Sequence, residues 1–203
     1  QVDISAKKGS KNYLTDLRTS DDDTLDGSNA CLYSVIDMDL KGKGSLSITS
    51  SYNNGVGTKD DLKIKNLELS VKAPNNAIKG NDSLTIESGT ITAISTQGDA
   101  LKTSNSSLSS KGKEKGNITI SDGTLKLYSA CDAIDAARNV YIGDASTTPN
   151  ITILTEQYSE YSEEVSKTSD STLYLALSSS ISSSNYRFAA HFTTSSTSSL
   201  SNI

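Results

Sequence analysis

The chain holds 203 residues with a formal net charge of −5; 34% are hydrophobic, 5% aromatic, and there are 2 prolines and no tryptophan. The negative balance argues against nucleic acid as a partner, and no run approaches the ~18 apolar residues that a membrane span needs. The length suits one domain, or one with an appendage, and so sparse an apolar content suits a solenoid, where each coil needs few inward side chains.

No leader sequence is visible, so the expectation is a mature, excised or cytosolic chain. Val2-Asp3-Ile4 alternates like a strand, and Asn12-Tyr13-Leu14 is expected as the turn after it. A solenoid starting there leaves an apolar end and an unpaired edge, which calls for a cap or a covering chain. Asp21-Asp22-Asp23 and Asp26 form an acidic loop, a solvated turn first and a cation ligand second. Residues 29–53 make the first clear coil, through Cys31-Leu32-Tyr33, Met38-Asp39-Leu40 and Leu46-Ser47-Ile48.

From Asn54 to Ile142 the chain repeats itself. One phrase recurs as Asn54-Gly55-Val56-Gly57, Asn76-Ala77-Ile78-Lys79, Asp99-Ala100-Leu101-Lys102 and Asp132-Ala133-Ile134-Asp135. A second recurs as Leu62-Lys63-Ile64, Leu84-Thr85-Ile86, Ile118-Thr119-Ile120 and Val140-Tyr141-Ile142. The steps are 22 residues from Leu62 to Leu84, 34 to Ile118, and 22 again to Val140. Such periods mean stacked repeats. Each unit has three short alternating segments separated by Gly, Asn, Asp and Ser, which is strand and turn chemistry. Three strands per coil predict an all-β parallel β-helix whose coils stack ~4.8 Å apart. Val56, Ile78, Leu101 and Ile134 then fill one inward column, with Gly55, Ala77, Ala100 and Ala133 beside it. Cys31 falls in that small-residue column and Cys131 four coils later. A gap of ~19 Å exceeds the ~7 Å limit for a disulfide, so the two do not pair.

The 34-residue step carries an insertion, Asn105 to Gly116, with Lys111, Lys113 and Lys115. It is expected beside the acidic column, as a solvated loop or as a basic flap over an anionic ligand. Regular coils are expected over residues 1–153. Residues 154–203 are expected as an acidic linker, a β-hairpin cap of residues 172–177 and 186–193, and a flexible Ser/Thr-rich tail from Thr193.

Candidate chemistry sits on the columns. Asn54, Asn76, Asp99 and Asp132 stack at successive coils, with Asp135 three residues further on. Like charges at that spacing repel and raise their own pKa values. A hard cation would relieve them, and calcium suits carboxylate and amide oxygens at ~2.3–2.6 Å. The alternative is a metal-free Asn/Asp turn ladder. Asp60, Asp61 and Asp82 form a second candidate group. Lys79 and Lys102 share the neighbouring column, where they neutralise the aspartates, grip a sugar carboxylate, or act as base in an elimination. Tyr52 and Tyr128 offer faces for stacking on sugar rings. His191 is the one histidine, which leaves little for a zinc site or a catalytic triad. In a eukaryotic secreted chain Asn81, Asn105, Asn117 and Asn150 would be glycosylation acceptors.

The phrases Tyr52 to Ile64, Gly98 to Lys102 and Asp132 to Ala136 resemble a family of carbohydrate-binding β-helix proteins known from clostridial secreted and surface proteins. The resemblance covers residues 12–153. It implies a right-handed parallel β-helix related in fold to polysaccharide lyases, bound calcium, and binding of cellulosic or pectate-like glycans without lyase activity. It implies Asp99, Asp132 and Asp135 as calcium ligands, with Asn76, Asp60, Asp61 and Asp82 as further ones. The chain departs from the family at Cys131, where glycine is usual, at Val35-Ile36, which replace Lys-Asp, and at the 105–116 loop, basic rather than acidic. The functional expectation is non-catalytic, calcium-stabilised polysaccharide binding, extracellular or at the cell surface. The alternatives are a fibre or adhesin subunit stacking end to end, and a calcium-dependent lyase using Lys79 or Lys102.

Overall fold

The structure, a computed structural model, describes residues 1–20, 29–144, 146–156, 186–193 and 198–200. Period-two alternation builds it. In the stretch LELSVKA, Leu67, Leu69, Val71 and Ala73 are buried while Glu68, Ser70 and Lys72 are exposed, as expected of a strand with one face on a core.

Strands follow three to a coil. The first coil is β1 (Val2–Ala6), β2 (Lys11–Asp16) and β3 (Ala30–Ser34); the next is β4 (Met38–Gly42), β5 (Ser45–Ser50) and β6 (Asn54–Thr58). Then come β7 (Asp61–Lys65), β8 (Leu67–Ala73) and β9 (Ile78–Gly80), followed by β10 (Ser83–Ile86), β11 (Gly89–Ser95) and β12 (Leu101–Lys102). β13 (Asn117–Ile120), β14 (Thr124–Ser129) and β15 (Ile134–Asp135) lead to β16 (Val140–Ile142) and β17 (Asn150–Glu156). Each strand pairs in parallel with its counterpart one coil away. The result is three sheets, with six parallel strands in A (from β1), six in B (from β2) and five in C (from β3); an antiparallel strand adds a seventh to each of A and B. This is the expected parallel β-helix, and no helix among the described residues is long and apolar enough to cross a membrane.

The inward columns form the core. Leu62, Leu84, Ile118 and Val140 stack in sheet A, Leu69, Ile91, Leu125 and Ile151 in sheet B, and Val56, Ile78, Leu101 and Ile134 in sheet C. All are buried except Ile134, which packs against them. Each buried aliphatic side chain contributes ~1.5–3 kcal/mol of transfer free energy. Gly55 is demanded by packing, since a Cβ there would lie 2.2 Å from Val71 Cγ1. Gly123 is demanded by its backbone, at φ +115°.

Several expectations are corrected. Asn12-Tyr13-Leu14 lies within β2, in register with Leu46-Ser47-Ile48; the turn comes earlier, where Gly9 has φ +75° and the Ser10 N–H donates to the Lys7 carbonyl at 2.9 Å. A parallel neighbour supplies the backbone partners that make a strand of this polar stretch. Segment 186–193 does form a strand, β18 (Tyr186–Thr193), antiparallel to β17. The tail expected to be flexible contributes β19 (Ser198–Leu200), antiparallel to β16, whose free edge offers hydrogen bonds. The other half of the predicted hairpin, residues 172–177, and the acidic loop Asp21–Asp26 lie outside the described residues.

The insertion is anchored rather than free. The Thr103 hydroxyl donates to the Gly116 carbonyl at 2.8 Å, and Arg138 reaches Glu114 at 3.0 Å and the Ser106 carbonyl at 2.6 Å. At the first coil the core is open: Leu14, inward in register, is 39% exposed, beside Tyr13 and Leu17 at 71% and 77%.

Candidate cation site and glycan surface

The turn from sheet B to sheet C carries the Asn/Asp column, and hydrogen bonds run through it. The Asn76 N–H and side-chain amide both donate to Asn54 Oδ1, at 3.0 and 2.9 Å. The Asp99 N–H donates to Asn76 Oδ1 at 3.4 Å, and the Asp132 N–H to Asp99 Oδ1 at 3.0 Å. The turn ladder weighed as the alternative to metal is therefore present over these four residues. Each side chain caps the backbone of the coil above it. Asp132 stands on the last strand-bearing coil of sheet C, and among the described residues no N–H of a further coil reaches its carboxylate.

That end of the ladder gathers charge. Carboxylate oxygens of Asp99, Asp132 and Asp135 all lie within 4.8 Å of one another. Burial, then the charges of Asp99 and Asp135, push the Asp132 pKa above the usual carboxylate value, with Lys102 opposing. Lys102 answers part of the charge: its ammonium is 2.8 Å from Asp99 and also pairs with Asp135. Burial acts to lower the Lys102 pKa, but hydrogen bonds to Asp135 and Asp99 outweigh it and raise the value. Lys79 follows in register; burial and the Lys102 charge lower its pKa. Of the two lysines, Lys102 is thus committed to neutralising aspartates.

The donor set fits a calcium ion. Three carboxylates are hard oxygen ligands, and Ca–O bonds of ~2.3–2.6 Å let one ion bridge oxygens up to ~5 Å apart. Asp132 brings the carboxylate that nothing else claims, and a bound ion would compete with Lys102 for Asp99 and Asp135. Asn76 Oδ1 is tied to the Asp99 N–H, so the amide supports the ladder.

The second acidic group is rearranged. Asp60 and Asp61 gather with Asp37, while Asp82 stays against Asp60, its N–H donating to the Asp60 carbonyl at 3.3 Å. Asp82 is taken by the insertion: Asn105 donates to it at 2.6 Å and Lys115 forms an ion pair with it. The insertion enters where sheet C turns into sheet A, so its lysine serves this group and not the Asp99 column, as had been expected. Burial works to raise the Asp82 pKa, but Lys115 and Asn105 outweigh it and lower the value. Burial, Asp37 and Asp82 raise that of Asp60. Asp37 precedes Met38 as Asp61 precedes Leu62, and the Asp61 N–H donates to it at 3.3 Å; that shared register is the signal that could have found it.

The remaining candidates separate. Tyr128 faces outward from sheet B in the column Thr49, Lys72, Ile94, Tyr128. Tyr52 stands in the turn after β5, three coils away, so the two tyrosines do not share one patch. Cys31 and Cys131 are both free thiols, and burial first among the causes raises both pKa values. Of the sequon asparagines, Asn105 is engaged by Asp82, Asn117 accepts from the Asn139 amide at 3.1 Å, Asn81 lies beside Asp82, and Asn150 is exposed.

Comparison with known proteins places the chain in a family. The model of a family described as carbohydrate-binding domain-containing protein matches residues 1–197. A carbohydrate-binding domain-containing protein of Acetivibrio thermocellus is 41% identical over 75 residues, covering 36% of this chain. The match spans 26% of that relative's length. No solved structure matches.

Proposed function

Since the chain belongs to the carbohydrate-binding domain-containing protein family, we propose that it binds extracellular polysaccharide without catalysing its cleavage, with a calcium ion at Asp99, Asp132 and Asp135 stabilising the binding surface. The glycan is pectate-like or cellulosic, and the protein acts outside the cell or on its surface. The observation that carries the calcium reading is the Asp132 carboxylate, crowded by two others at the end of the ladder and without a donor among the described residues. Lys102, held protonated between Asp99 and Asp135, is removed as one of the two candidate bases of a lyase, which leaves Lys79 to the product assay. A pull-down on polygalacturonate and on cellulose tests the proposal. Retention falls on adding EDTA and in Asp132→Ala, and no unsaturated product absorbance appears. Retention unchanged by both would overturn it.

A further inference from the structure

Sheet B presents an outward column that neither packs nor pairs. It runs Thr15, Thr49, Lys72, Ile94, Tyr128 and Leu154 through successive coils. Ile94, Tyr128 and Leu154 are therefore apolar neighbours on three consecutive rungs, ~4.8 Å apart. They are partly exposed, and none belongs to the core or packs against it. Apolar surface left in water on successive rungs costs hydration free energy with no compensating burial. Two lysines flank them. Lys72 stands one rung from Ile94, and Lys126 faces the same way two residues before Tyr128. Both are exposed, and among the described residues neither makes an ion pair or hydrogen bond. Ser70 and Thr92 place hydroxyls in the adjacent lane, in register with Lys126.

We propose that this face is the glycan subsite and that its occupant is a polyuronate strand lying along the solenoid axis. The inference rests on the polysaccharide-binding reading above and names its surface and ligand class. A pyranose ring has an apolar C–H face that stacks on an aromatic ring. A strand running along the axis meets one apolar side chain per rung; a strand running across it meets only one in all. The flanking lysines select charge. On a protein of net charge −5 they are unneutralised cations beside the stacking surface, and an anionic sugar supplies their counterions. A neutral glucan stacks on the same ridge and leaves both without a partner. The column also borders the B–C turn, Tyr128 lying four residues before Asp132, so strand and ion occupy one corner of the coil.

The test uses the full chain, with polygalacturonate and cellulose as probes, in affinity electrophoresis and calorimetric titration. Tyr128→Ala weakens polygalacturonate binding about tenfold, while Tyr128→Phe, which keeps the ring face, binds as the wild type does. The double variant Lys72→Ala/Lys126→Ala weakens polygalacturonate binding and flattens its salt dependence. Lys63→Ala, on sheet A, changes neither. Circular dichroism verifies folding of each variant. If the wild type binds polygalacturonate and the sheet B variants bind it equally well, this inference falls and the general reading stands. If the wild type binds neither polysaccharide, both fall.

Discussion

The outer faces of sheets A and B rise on the same coils, yet their charges behave differently. On sheet A, Lys41 pairs with Asp3 at 2.6 Å, and Lys63 and Lys65 meet Glu87 at 3.6 and 2.6 Å. On sheet B, Lys72 and Lys126 are exposed and have no partner among the described residues, beside Ile94, Tyr128 and Leu154. Exposed pairs contribute only ~0–1 kcal/mol each, so sheet A has a self-neutralised, solvated surface. The interiors behind the two faces are alike, columns of Leu, Ile and Val with no exposure to speak of. Folding therefore does not explain the difference. A surface that satisfies itself has nothing left for a ligand, and the proposed subsite lies on the one that does not.

The comparison requires first that the two interiors be equivalent. Ile86 in sheet A and Leu125 in sheet B are each 0% exposed; Ile86→Ala and Leu125→Ala are each expected to cost ~2–5 kcal/mol in urea unfolding. A far smaller loss at one of them breaks the claim of a shared core. Next comes the paired tyrosine experiment. Tyr141 occupies an outward position on sheet A, in register with Thr119. Tyr141→Ala should leave polygalacturonate affinity unchanged where Tyr128→Ala loses about tenfold, and equal losses would erase the distinction between the faces. The smallest effect is electrostatic. The Lys65 hydrogen bond, opposed by burial and aided by the charges of Lys65 and Lys63, lowers the Glu87 pKa. A lowered carboxyl contributes stability that is present above its unfolded value and lost as pH falls through the folded one. After screening, Glu87→Gln should cost at most ~1 kcal/mol at neutral pH. That difference should vanish on acidification and in 1 M salt. A cost that survives either condition would make sheet A's pairing structural.

The fold was legible because burial follows position with so little exception. The 22-residue step puts Leu62, Leu84, Ile118 and Val140 in one column whatever the turns do, and the 34-residue step merely adds a loop at a corner. The column Asn54, Asn76, Asp99, Asp132 was legible for the same reason, as was the crowding at its end. What escaped depends on partners that no repeat announces. Asp82 is held by Lys115 and Asn105 of the insertion, which no column of the repeat foretells. Lys102, expected near the aspartates, turns out to be shared between two of them. The strand at Asn12–Leu14 escaped because its polar residues pair through backbone with β5, and β19 because an edge can recruit any extended segment. The vacancy around Lys72 and Lys126 is likewise a property of register across coils, invisible in either residue's own neighbourhood.

Calcium titration followed by thermal unfolding, on the wild type and Asp132→Asn, addresses the central claim most directly. In EDTA the amide should be no less stable than the carboxylate, because burial and two neighbouring charges disfavour ionised Asp132 at neutral pH. With calcium at a hundredfold excess over its dissociation constant, the wild-type melting temperature should rise by about 5–10 °C, and that of Asp132→Asn should hardly move. A calcium response absent from the wild type, or equally large in the variant, would contradict the account.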